Sequence, residues 1–122
     1  MEKTRFETGM ELLKQIDGQG GEAVIRSLEQ VSPDLGRYIV EFAFGDIYAR
    51  EGLTLQEREM ITLACLLTAG SCRPQLEVHI AAALHVGISP EKILETFLQC
   101  IPYTGFPKVL NAVYSAKKVL KL

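Results

Sequence analysis

The chain has 122 residues, 48% of them apolar, with 13 basic against 15 acidic side chains and a net charge of −2. That length predicts one domain, residues 1–122, large enough to bury a core without staples. The near-neutral charge and scattered basic residues exclude a phosphate-backbone footprint, so no nucleic-acid partner is expected. No apolar run reaches the roughly 18 residues of a membrane span, so no membrane association is expected. The opening stretch, residues 1–6, is charged rather than apolar, which speaks against a secretory signal. The three cysteines, Cys65, Cys72 and Cys100, form no disulfide framework. Reduced thiols in a cytoplasmic setting are expected. So much apolar surface in a short chain suggests an obligate interface, hence a homo-oligomer.

Thr4 to Ile16 carries Phe6, Met10, Leu13 and Ile16 at helical spacing and ends before the glycine cluster 18–21. Glu22 to Val31 repeats the pattern. Ser32-Pro33 reads as an N-cap with proline at the first helical position, opening a helix to about Phe44 or Ile47. The glycine-bounded stretch 45–52 breaks the periodicity and predicts an ordered loop or one extra turn.

Thr54-Leu55-Gln56-Glu57 has the form of a capping box, and the helix behind it runs to Ala69 and stops at Gly70. Its second half, Met60 to Leu67, is apolar on nearly every side, the mark of a helix buried in a core or between subunits. After a joint at 71–74, Gln75 to Val86 forms a helix closed by Gly87. Ser89-Pro90 starts another, to about Tyr103, with Pro102 near its end. Gly105-Phe106-Pro107 precedes a last amphipathic helix through Leu122, whose cationic end holds Lys117, Lys118 and Lys121. No segment alternates with period two. The expectation is all-α: six to seven helices in antiparallel hairpins, no sheet.

Few ionisable residues fall on the apolar helices. Glu59 stands where the capping turn meets the apolar stretch. His79 sits among Leu76, Val78, Ile80 and the alanines 81–83, and His85 lies about 240° around the same helix, outside any shared site. A lone histidine on an apolar helix is more often a packed residue than a catalyst, and a glutamate in a first turn simply suits the helix dipole. Cys65 and Cys100 read as small packed hydrophobes. Cys72 lies in a joint beside Arg73 and near a helix start, two features that favour a thiolate. No Cys or His spacing suggests a metal site. Neither a phosphate loop nor a nucleophile elbow is present.

Several blocks then carry a family resemblance: Arg5-Phe6-Glu7-Thr8-Gly9-Met10; Gly45 through Leu53; Arg58-Glu59-Met60-Ile61-Thr62-Leu63-Ala64; Gln75 through Ala83; Gly87 through Ile93; Tyr103 through Pro107; and Asn111-Ala112. In this order they resemble the γ-carboxymuconolactone decarboxylases. The wider superfamily includes AhpD-like peroxidases, whose signature is a glutamate, eleven residues, CxxC, three residues and a histidine. Cys72 and His79 match that pattern. Gln75 stands where the second cysteine would be, and Glu59 lies one residue further from Cys72 than the signature places it. One helical residue turns a side chain by about 100°, so whether Glu59 faces His79 is open at this point. A dithiol relay needs two sulfurs, so the resemblance favours the decarboxylase branch.

The resemblance implies an all-helical subunit in a hexamer or trimer-based oligomer, with a site near His79. It implies a cofactor-free decarboxylation of a small carboxylated lactone. In such a reaction His79 is the expected proton donor, Glu59 its orienting partner, Arg50 or Arg58 the carboxylate anchor, and Tyr48, Tyr103 and Phe106 the pocket wall. Two other functions remain open: a thiol-dependent peroxidase using Cys72, and a non-catalytic oligomeric binding protein.

Overall fold

The computed structural model describes residues 2–122, and Met1, the first residue of the charged opening stretch, lies outside the described residues. These residues form seven α-helices, a π-helical segment and no strand. They divide into two compact units, residues 1–55 and 56–122.

The first unit opens with α1 (Arg5–Asp17). Its start is a complete capping box: the Thr4 hydroxyl accepts from the Glu7 amide at 3.0 Å, and the Glu7 carboxylate accepts from the Thr4 amide at 3.2 Å. α1 ends at Gly18, whose φ of 57° admits glycine readily. The next helix, α2 (Gln19–Leu28), begins three residues before the expected Glu22. Only Gly18 breaks the chain; Gly20 and Gly21 are helical. Gly21 is buried because a side chain there would collide with Leu13 of α1, so the glycine serves close helix packing rather than a turn.

α3 (Pro33–Tyr38) starts at Pro33 as expected, but Ser32 makes no side-chain cap hydrogen bond. The chain then continues from Ile39 to Tyr48 as a π-helix, into the stretch expected to be a loop. A reading based on a 3.6-residue period has no template for this wider coil, a form ordinarily confined to single turns. The π segment packs closely on α1 at two glycines. A Cβ on Gly9 would meet the Val40 carbonyl, and one on Gly45 would meet the Arg5 carbonyl oxygen. Arg5 and Asp46 lock the same crossing with a two-pronged pair at 3.0 and 2.6 Å. Phe44 stacks on Tyr48 with ring centroids 4.9 Å apart.

The second unit contains α4 (Leu55–Ala69, from Gln56 onward), α5 (Arg73–His85), α6 (Pro90–Thr104) and α7 (Phe106–Leu120). Gly70, Gly87 and Gly105 punctuate it, all with positive φ. Ser71 also takes φ of 53°, making the α4–α5 joint a pair of left-handed residues. Ser89 caps α6 by accepting from the Lys92 amide at 3.2 Å. α6 runs through Pro102, which sits in its last turn. The core is one cluster: Leu63 and Leu67 from α4, Leu76, Ile80 and Ala83 from α5, Ile93 and Phe97 from α6, and Val109, Ala112 and Ala116 from α7.

α4 and α5 form an antiparallel hairpin bridged by side chains at two levels. Near the start of α4, Gln56 donates to the Val86 carbonyl at the end of α5, 2.8 Å away. One turn further along α4, Glu59 meets His79. α4 buries only the face of Glu59, Leu63 and Leu67, while Ile61 and Cys65 are exposed within the chain. This corrects the expectation of Cys65 as a packed residue. Cys65 lies two residues, roughly 200°, around the helix from Leu63. Among the described residues, no helix is long and apolar enough to cross a membrane.

Candidate active site

Glu59 enters the site from the buried face of α4, where Leu63 and Leu67 follow it at four-residue intervals. Its carboxylate is wholly enclosed, with 0% side-chain exposure, against 18% for His79. Both carboxylate oxygens face His79 Nδ1, at 3.0 and 3.2 Å. An ionised carboxylate only accepts, so with Glu59 ionised Nδ1 is the donor of the pair. The question left by spacing is therefore answered: Glu59 reaches His79. A buried charge in a folded protein calls for a partner, and the imidazole supplies one. His79 sits on α5 beside Leu76 and Ile80, both buried, while its own ring keeps a partly open edge. His85 is exposed, as its position around the helix requires.

Arg58 is the residue before Glu59 on α4 and is half-buried. Tyr103 and Phe106, expected in the pocket wall, are 83% and 73% exposed. They line neither the cleft beside Cys72 nor the one between Met60 and Cys100. Both flank the α6–α7 joint, where Gly105 turns the chain and leaves the rings outward. Tyr48 and Arg50 belong to the first unit: Tyr48 is half-buried against Phe44, and Arg50 is exposed just after the π segment.

Cys72 is the N-cap residue of α5 and is half-buried. It lines a cleft with Arg73, Leu76, Lys108, Asn111 and Ser115. The sequence marks Asn111 only as part of a resemblance block and does not single out Lys108 or Ser115, because an amphipathic helix gives no sign of which polar residues meet a neighbouring joint. Gln75, in the place of a second cysteine, is exposed on the first turn. Cys100 donates its thiol to the Thr96 carbonyl, and burial pushes that thiol up from its ordinary range, with a smaller push from Cys65. Among the described residues, no group of three or more His, Cys, Asp or Glu side chains is placed to hold a metal ion.

Fold and site thus define an all-helical protein with a buried carboxylate–imidazole pair bridging a helical hairpin. Residues 33–118 match the model of the carboxymuconolactone decarboxylase family. The chain belongs to that family. It is 30% identical over 123 residues to 4-carboxymuconolactone decarboxylase of Acinetobacter baylyi, covering 98% of this chain and 90% of the relative. It is 26% identical over 118 residues to a nitrosuccinic acid decarboxylase of Metarhizium robertsii, covering 94% and 80%. An uncharacterised 15.0 kDa protein of Paracoccus denitrificans is 26% identical over 115 residues, covering 93% and 86%.

Proposed function

We propose that this protein is a cofactor-independent decarboxylase in which His79, held by Glu59, delivers a proton to the carbanion left by the departing carboxylate. The observation that carries this reading is the enclosed Glu59 carboxylate at 3.0 Å from His79 Nδ1. Family membership and two relatives named as decarboxylases support the reaction class.

In such a reaction the bond between carbon and carboxylate breaks and CO₂ leaves. The electron pair stays on carbon and spreads into a neighbouring electron-withdrawing group, such as a lactone carbonyl. A proton must then reach a carbon of the delocalised system. Glu59 fixes the imidazole by accepting from Nδ1, which assigns the transferable proton to Nε2. The Glu59 anion favours the imidazolium before transfer, and solvent restores the proton afterwards. Arg58 is the assigned anchor for the substrate carboxylate, since a guanidinium matches it in shape and charge. Arg50, Tyr48, Tyr103 and Phe106 belong to the same reading as substrate contacts of a homo-oligomer, hexameric or trimeric. One domain, residues 1–122, in the cytoplasm completes it.

The substrate class is a small acid whose carboxylate is attached beside an electron-withdrawing group, with 4-carboxymuconolactone as the first member to assay. The test follows CO₂ release by purified protein in D₂O. The expected result is one deuterium on carbon, next to the lactone carbonyl when the substrate is 4-carboxymuconolactone, and a loss of rate in His79→Ala. Full activity in that variant removes His79 as donor; no CO₂ from 4-carboxymuconolactone or nitrosuccinate removes the decarboxylase reading.

A further inference from the structure

The groove between α4 and α6 has a volume of about 640 Å³ and a floor of Met60, Ala64 and Cys100, each half-buried. Glu91 and Glu95, both exposed, stand one helical turn apart on its α6 rim, and Lys92 is the one cation of the lining. Neither Glu59 nor His79 lines it. The groove is open to solvent along its length, and its polar groups stand on the rim instead of converging. It is shaped for a ridge of side chains from a helix rather than for an enclosed small molecule.

α7 carries such a ridge. Leu110, Tyr114 and Lys117 lie within an arc of roughly 60° around it. Leu110 and Tyr114 are 49% and 55% exposed, because Val109, Ala112 and Ala116 on the other side of the helix fill the core. Lys117 continues the ridge, and Lys121 closes the helix. α7 holds no Asp or Glu. Lys118 is spent on Glu77 of its own chain, at 3.1 Å. By contrast, Lys117, Lys121, Glu91 and Glu95 form no ion pair among the described residues.

The two surfaces complement one another. One is an apolar ridge followed by unpaired cations; the other is an apolar floor followed by unpaired carboxylates. Laid antiparallel to α6 of a second copy, α7 turns Leu110 toward Cys100 and brings Lys117 and Lys121 toward Glu95 and Glu91. The partly negative end of α7 then lies beside the partly positive start of α6.

We propose that α7 of one copy docks in the α4–α6 groove of the next, with Leu110 and Tyr114 on the apolar floor and Lys117 and Lys121 against Glu95 and Glu91. The two surfaces differ, so the junction is head-to-tail and generates a ring where the rotation closes. The apolar contact supplies the affinity, and the exposed charges set the direction of docking. The proposal rests on the homo-oligomer of the proposed function and not on its catalytic part.

Sedimentation velocity of the intact protein across a concentration series reads the docking. The parent is expected to sediment as a species larger than one chain. Leu110→Asp on the ridge and Ala64→Arg in the groove are each expected to give a smaller species, with helical circular dichroism unchanged. An equimolar mixture of these two variants is expected to regain an intermediate species, since the intact ridge of one meets the intact groove of the other. Lys117→Glu and Glu95→Lys are each expected to raise the dissociation constant about tenfold at low salt, and their combination in one chain to restore most of it. A parent that stays monomeric at every concentration overturns the proposal together with the homo-oligomer. An unchanged oligomer in Ala64→Arg, no gain on mixing, or losses that add in the charge-reversed double variant overturn the docking alone. CO₂ release is a separate measurement, so failure here is distinguishable from failure of the decarboxylase reading.

Discussion

Glu59 and His79, twenty residues apart on two helices, meet with both carboxylate oxygens within 3.2 Å of one ring nitrogen. The carboxylate has no exposure, so within the chain it can act on a ligand only through the ring it holds. Glu59→Gln keeps the shape and removes the charge. If the pair supplies general acid catalysis, kcat falls by about 10² to 10⁴ while KM changes little. Glu59→Asp, one methylene shorter, recovers part of that loss. An equal fall in Glu59→Gln and Glu59→Asp, with KM rising in step, points to mere structural support.

The α1 crossing distinguishes glycines by what a methyl group meets. Gly9→Ala drives Cβ against the Val40 carbonyl and is expected to destabilise by about 1–3 kcal/mol, as overpacking does. Gly20 is helical with open space around it, so Gly20→Ala is expected to stabilise by up to about 1 kcal/mol. Urea midpoints of the two variants on opposite sides of the parent check both statements together.

The Arg5 guanidinium, chiefly through its hydrogen bonds, holds the Asp46 carboxyl below the usual range. A depressed folded value means the pair stabilises above the titration of the unfolded carboxyl and loses this as pH falls through the folded value. Asp46→Asn therefore lowers Tm at neutral pH, and the gap from the parent closes as pH drops below about 4. A gap that stays constant across that window rules out the pair as its source.

Two Ser-Pro helix starts look alike in sequence and differ in structure. Ser89 accepts from Lys92, whereas Ser32 makes no side-chain cap hydrogen bond. Ser89→Ala is expected to cost about 1 kcal/mol and Ser32→Ala less than half of that, read from chemical denaturation.

What was legible in the chain follows from how local each signal is. Thr4 and Glu7, Gly70, Gly87, Ser89 and Gly105 act through neighbours within a few residues, and the helix boundaries they imply lie close to those observed. The π segment was not legible, because its apolar residues fit an ordinary helix as well as a wide one. Gly20 and Gly21 were misread as breakers, since close packing against Leu13 is a tertiary fact. Glu59 and His79 were each visible, but their meeting depends on the angle between α4 and α5, which no spacing along one helix encodes. The exposure of Cys65, Tyr103 and Phe106 escaped for the same reason: composition gives apolarity and not the side toward which a helix turns it.

The bond from Gln56 to the Val86 carbonyl has a mechanical meaning. His79 and Val86 are seven residues apart, so they lie on nearly the same side of α5, roughly 10 Å from one another along its axis. Two attachments on one side of a rod resist both rolling and sliding, where a single one permits either. The direction in which the imidazole points is then set by the whole helix as a lever and not by one side-chain rotamer. A residue that never meets the ring, Gln56, thereby shares in aiming it.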